Sequence, residues 1–339
     1  MRFGFATIPG KAAEFVALVR DAEAMGFHQA WVPDQTFHRD VFAVLAACAA
    51  EARRIALGVG VTNPFTRHPV QIARAAATVD EIAGGRLTLG IGAGNRRELL
   101  RPLGLEQERT AQRCAEAVSV IKALLRGERV THESDTLTAR DVALDFAARA
   151  DLPVYLAGRG RLVLRAAGER ADGVIIGALS DPEGLRYALA QVESGAAAAG
   201  RTLDGFGIVS WVTCLLTDDR TAALEAIRPS IAHVIGGAPV EVLLGIGLDA
   251  GLVRRIKERY AAGGPLAAAP HVTPDVVDRL AIVGDGPHVV ERVALLRRHG
   301  VTQVVVLLPG RGARSSHSAP GVDHRALLRR FAEQVMARL

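Results

Sequence analysis

Short runs rich in valine, isoleucine and leucine, each followed by a stretch of helical periodicity, recur eight times along this chain. The strand-like runs fall at 2–7, 29–32, 55–61, 86–92, 153–157, 173–176, 207–216 and 303–308. Helical patterns follow at 12–25, 41–52, 70–83, 109–126, 162–170, 185–199, 222–234 and 289–299, and a last one closes the chain at 325–338. Strands that are apolar on both faces belong to parallel sheets, because the crossover helices cover the sheet. Eight such units predict an α/β fold, a (β/α)8 TIM barrel formed as a single domain over 1–339. An open doubly wound sheet is the alternative, but the count and the absence of a low-complexity linker favour the barrel. Two stretches break the alternation. Residues 131–146 read as a hairpin or loop excursion, and about 236–283 as a mostly helical insertion between strands 7 and 8.

Composition narrows the class. With 339 residues, 49% hydrophobic and 23% charged, the chain can bury a large core. The net charge of +5 is spread without a Lys/Arg block, so no nucleic-acid partner is expected. Cys48, Cys114 and Cys214 stand far apart in apolar surroundings and read as reduced core residues; neither disulfides nor a metal site are expected. No uncharged apolar run reaches ~18 residues, which argues against a membrane span. A start directly on a strand, without a signal-peptide pattern, leads us to expect a cytoplasmic protein.

A barrel places its site at the carboxyl ends of the strands. That rule selects Thr7, Asp34 with Gln35, the turn from Gly60 to His68, Gly92 to Asn95, Ala157 to Gly160, Gly177 with Ala178, and Trp211 to Thr213. The set is short in acids and rich in glycine. It suits a site that holds a large ligand against backbone rather than one that hydrolyses with paired carboxylates.

Several of these segments carry a family pattern. Ala22-Glu23-Ala24-Met25-Gly26-Phe27 leads to Ala30-Trp31-Val32-Pro33-Asp34, and Gly60-Val61-Thr62-Asn63-Pro64-Phe65-Thr66-Arg67-His68-Pro69 follows. Gly84-Gly85-Arg86 runs into Gly90-Ile91-Gly92-Ala93-Gly94, and Ala171-Asp172-Gly173-Val174 and Val283-Gly284-Asp285 come later. Together they resemble the bacterial luciferase-like flavin and deazaflavin oxidoreductases. The nearer resemblance is to the coenzyme F420-dependent branch that includes methylenetetrahydromethanopterin reductase. It spans nearly the whole chain, and Thr62 to Pro69 is its most specific part.

The resemblance implies a deazaflavin ring in the barrel mouth, with the phosphate at the loop Ala157-Gly158-Arg159-Gly160 and Gly177-Ala178 beside it. Backbone N–H groups opening a helix bind anions, and Arg159 and Arg161 would add charge. It also implies a non-proline cis peptide at Gly60-Val61. Gly60, Val61, Thr62, Asn63, Gly92, Ala93, Gly94 and Asn95 are the further cofactor-binding candidates. Asp34 is the candidate for cofactor or substrate hydrogen bonding, with His38 as a nearby acid. Thr7, Gln35, Phe65, Arg67 and Trp211 are the substrate-binding candidates, and Arg67 and His68 either meet anionic substrate or brace the turn. The sugar-phosphate dehydrogenases of this family carry a histidine directly after the aspartate and a glutamate after the glycine run. Gln35 and Asn95 stand there in this chain. Alcohol oxidation needs a base for the hydroxyl proton, so both departures favour a reductase acting on C=N or activated C=C. FMN with monooxygenase chemistry, or a flavin- or deazaflavin-binding barrel without turnover, are the alternatives. A small-molecule substrate and a homodimer are expected from the same resemblance.

Overall fold

The computed structural model describes residues 1–308 and 323–339. Its strands are β1 (Arg2–Ala6), β2 (Gln29–Val32), β3 (Ala56–Thr62), β4 (Leu87–Ile91), β5 (Val130–Glu133), β6 (Thr138–Val142), β7 (Val154–Ala157), β8 (Gly173–Gly177), β9 (Gly207–Leu216), β10 (Ala281–Gly284) and β11 (Gln303–Leu307). Eight of them close a parallel barrel in the order β1-β2-β3-β4-β7-β8-β9-β11, with β11 returning to β1. These eight are the runs anticipated from hydrophobicity. Of the two readings of 131–146, a hairpin or a loop excursion, the structure has the first: β5 and β6 pair as an antiparallel hairpin.

The barrel strands are mostly buried because both faces are covered, unlike the exposed hairpin strands β5 and β6. Outside, the helices pack their apolar stripes on the sheet and make the main core. Inside, a second cluster of Ala6, Trp31, Ile175, Val209 and Val305 fills the barrel, joined by Val61, Tyr155 and Trp211. Two indoles cross edge-to-face there, Trp31 and Trp211, with ring centroids 6.3 Å apart. Glycine makes room for them. A Cβ on Gly58 would lie 2.3 Å from the Trp31 ring, and one on Gly60 2.4 Å from Trp211.

The insertion departs from the expected pattern in one respect. It is mostly helical, with helices Val240–Gly245, Ala250–Ala268 and Pro274–Leu280. Its end, however, is β10, which pairs in parallel with the second half of β9, from Thr213 to Leu216. β9 is ten residues long. Its first part closes the barrel against β8 and β11, and its last part extends beyond the barrel and accepts this ninth strand. Four apolar residues following a helix without a turn signal are indistinguishable from a further helical turn by periodicity. The long helix of the insertion is also kinked, at Gly264 (φ 75°) followed by Pro265.

Candidate functional site

The carboxyl ends of β2 and β3 are tied together by one carboxylate. Asp34 is buried, and Thr62 Oγ1 donates to its Oδ2 at 2.7 Å. Arg67 Nε donates to the same oxygen at 2.8 Å and reaches Asp40 Oδ2 with Nη2 at 2.6 Å. Among the described residues both donors to Asp34 meet Oδ2, which leaves Oδ1 as the oxygen for a ligand. Arg67 therefore braces the turn between two carboxylates, the second of the two roles expected for it. Its guanidinium charge is largely neutralised where a substrate anion would need it. His68 braces as well: Nδ1 accepts from Val70 N at the start of helix Pro69–Ile82, and Nε2 lies 2.9 Å from the Thr138 carbonyl of β6.

The remainder of the turn is equally engaged. Asn63 is buried, and its Oδ1 accepts from Phe65 N, Thr66 N and Thr66 Oγ1 at 2.9–3.1 Å. Phe65 is buried beneath the Arg113 guanidinium, 4.7 Å from the ring centroid, and offers a substrate little surface. The Gly60–Val61 peptide is cis, as the resemblance implied, and the β3–β4 register shifts between Val59 and Thr62. Val61 O accepts from Asp34 N at 3.3 Å, joining this bulge to the β2 end. Thr62 O holds Gly92 N at 2.9 Å, and Gln107 Nε2 donates to the carbonyls of Ala93 and Gly94. Thr7 is buried just past β1, and Trp211 is half-buried in the barrel interior against Gly60. Gln35 is half-buried, and its carbonyl accepts from His38 N at 2.7 Å. Burial and the neighbouring Arg39 push the His38 imidazole below its ordinary range, so at neutral pH it is a neutral ring and a poor proton source.

On the opposite side of the mouth the loop after β7 opens helix Arg161–Arg170, with Gly160 at its N-cap. Gly158 N donates to Ile175 O in β8, fixing Ala157 and Gly158 to the sheet. Arg159 is half-buried. Among the described residues it meets no carboxylate, and burial lowers its pKa. Lys257, from the insertion, donates to the carbonyls of Gly236 and Ala238. Burial, then repulsion from Arg159, lowers its pKa too. Among the described residues nothing lies within 4 Å of where a Cβ on Gly177 would project. Ala178 holds a left-handed backbone (φ 57°) that turns the chain away, with its N–H on Trp211 O. Arg161, by contrast, is exposed.

The family model described as luciferase-like monooxygenase matches residues 2–303. The chain belongs to this luciferase-like family. A 5,10-methylenetetrahydromethanopterin reductase of Archaeoglobus fulgidus is 34% identical over 314 residues, covering 91% of this chain and 94% of the relative. An F420-dependent glucose-6-phosphate dehydrogenase of Beutenbergia cavernae is 33% identical over 304 residues, covering 87% and 81%. Among solved structures, the coenzyme F420-dependent tetrahydromethanopterin reductase of Methanopyrus kandleri superposes with a TM-score of 0.83 at 29% identity, covering 99% of each chain.

In this luciferase-like barrel the helix Arg220–Gly237 after β9 and the insertion add groups that no sequence motif announced. Asn95 Oδ1 accepts from Arg97 N and Glu98 N, capping a short π-helix Arg96–Leu100. Its Nδ2 lies 3.4 Å from His233 Nε2, and His233 Nδ1 lies 2.9 Å from the Tyr260 hydroxyl. Glu98 Oε1 is 3.7 Å from His233 Nδ1, and the Arg97 guanidinium covers the Tyr260 ring. His233 and Tyr260 sit on helices of unremarkable pattern. The only advance signal was that an insertion following strand 7 of a luciferase-like barrel must lie somewhere over the mouth.

Proposed function

We propose that this chain is an F420-dependent oxidoreductase, passing a hydride between the deazaflavin C5 and a small organic substrate by reduction of a C=N or an activated C=C. When bound, the reduced deazaflavin supplies the hydride. The observation that carries the reading is Arg159. A half-buried guanidinium without a carboxylate among the described residues, at the start of a helix, asks for an anion from outside the chain. Lys257 raises the positive potential at the same place. The open face at Gly177 and the N–H groups after Gly160 leave room for a phosphate to approach backbone. Asp34 Oδ1 is positioned to accept a hydrogen bond from ring or substrate, while Thr62 and Arg67 hold the carboxylate still.

The names of the relatives support the cofactor. Gln35 and Asn95, and the neutral His38, support reduction over alcohol oxidation, because among the described residues no strong base stands beside Asp34. Glycines at 60 and 92 let indole and valine side chains, not a polar group, back the ring site. A homodimer belongs to the same reading.

The test is a fluorescence titration of the full chain with F420 and, separately, with FMN. Preferential F420 binding, weakened about tenfold or more by Arg159→Gln, is the expected result; a lost charge-assisted contact of roughly 1.5–3 kcal/mol gives that change. Preference for FMN would move the chain to monooxygenase chemistry. Binding of neither would end the cofactor reading.

A further inference from the structure

The hydrogen-bond directions around Asn95 can be assigned without ambiguity in the amide. Two backbone N–H groups, of Arg97 and Glu98, donate to Oδ1 at 2.9 and 3.0 Å, so the atom facing His233 is the NH2 group. An NH2 group can only donate; His233 Nε2, 3.4 Å away, is then the accepting nitrogen. In its neutral form the imidazole then carries its proton on Nδ1 and donates it to Tyr260 Oη at 2.9 Å. Tyr260 receives a hydrogen bond there, and its own O–H is left to point elsewhere. Burial keeps the phenol protonated by raising its pKa, against the lowering effect of Arg97, with Glu98 adding to the rise. Gly236 makes the placement feasible, since a Cβ there would lie 2.5 Å from the Tyr260 ring.

From this chain of directions we infer that Tyr260 is the proton donor of the reductive half of the reaction, oriented by the relay Asn95–His233. The inference rests on the proposed deazaflavin chemistry. Reduction of a neutral C=C conjugated to a carbonyl takes up one hydride and one proton. The Tyr260 O–H bond breaks, its proton goes to the enolate that develops on the substrate, and its electron pair stays on Oη. The Nδ1–H of His233 and the adjacent Arg97 stabilise that phenolate, and solvent water returns the proton. A preformed iminium cation takes up the hydride alone and needs none of this. Among the described residues, the charged and titratable groups that face the pair include Arg97 and Glu98, from the helix after β4.

Two readouts test it. In the cofactor-free full chain, side-chain 15N NMR should show His233 as the Nδ1–H tautomer. Asn95→Asp should move the proton to Nε2, because a carboxylate there accepts from it. With F420 bound, Tyr260→Phe should lower kcat about 100-fold on an α,β-unsaturated ketone, with KM within about twofold, and leave reduction of an iminium cation unchanged. An Nε2–H tautomer in the unsubstituted chain would overturn the relay. Equal losses on both substrates, or none on either, would overturn the donor role of Tyr260. Failure of F420 to bind the unsubstituted chain would instead strike the proposed function, and the NMR result would still decide the relay. Should Tyr260→Phe not fold, His233→Gln, which loses the Nδ1–H, should show the same split between the two substrates.

Discussion

Two glycines separate space needed for packing from space left for a ligand. Gly58 lies under Trp31, with 2.3 Å between a would-be Cβ and the indole, and both are enclosed by the barrel. Gly58→Ala should therefore destabilise the fold by about 1–3 kcal/mol, read as a lowered denaturant midpoint. Among the described residues a Cβ on Gly177 would meet nothing within 4 Å, and Gly177 has no left-handed backbone to preserve. Gly177→Ala should keep or slightly raise stability, by up to about 1 kcal/mol, because it narrows the unfolded ensemble. Its expected effect is on binding: a methyl on the cofactor face should weaken F420 roughly tenfold in the fluorescence titration. Loss of stability with unchanged binding would show that the open space at Gly177 is not where the ligand sits.

At the scale of elements, the hairpin β5–β6 is held to helix Thr110–Leu125 through one carboxylate. Burial raises the pKa of Glu116, but hydrogen bonds from Ser134, Thr136, Gln112 and His132 outweigh it and bring the pKa down to about 2. Ser134 Oγ donates to Glu116 Oε2 at 2.6 Å, and Thr136 Oγ1 donates to the same oxygen. A folded pKa below the unfolded value gives stability that is complete above the unfolded pKa, near 4.5, and lost as pH falls toward 2. The linkage corresponds to about 2 kcal/mol once partial solvent screening is allowed for. Glu116→Gln should lower stability at pH 7 by roughly that amount and flatten the acid limb between pH 4.5 and 2 in equilibrium unfolding. An unchanged acid limb would mean that other carboxylates govern it. The hairpin in turn receives His68, so this element also buttresses the turn that holds Asp34.

Across the whole molecule, a buried ion pair braces the end of the barrel opposite the proposed site. At the amino ends of the strands, Arg149 makes a two-pronged pair with buried Asp80, at 2.8 and 3.0 Å, and donates to Leu87 O at 3.1 Å. Asp80 also accepts from Leu87 N, joining helix Pro69–Ile82 to β4 and to the segment entering β7. Arg149→Leu strands a carboxylate only 4% exposed and should cost about 3 kcal/mol of stability while leaving F420 affinity unchanged. A shift in affinity would show that the two ends are coupled. Periodicity alone was enough to specify the eight strands and their helices, because burial on both sheet faces or along one helix stripe leaves a local signature, whereas 131–146 could only be read as a hairpin or a loop excursion. The barrel rule then located Asp34, the turn after β3, and the loops after β4, β7 and β8 at one end, since that consequence of topology needs no side-chain detail. What periodicity could not carry was direction and partnership. That Arg67 is neutralised by Asp34 and Asp40, while Arg159 meets no carboxylate among the described residues, depends on which side chains meet across the fold. The same holds for β10, whose four residues became a strand only because β9 overhangs the barrel and offers an unpaired edge. His233, on helix Arg220–Gly237, reaches Asn95 from 138 residues away, and Tyr260 of the insertion reaches His233 in turn. Local sequence encodes the burial of each element, whereas hydrogen-bond geometry between distant elements exists only once the barrel has closed.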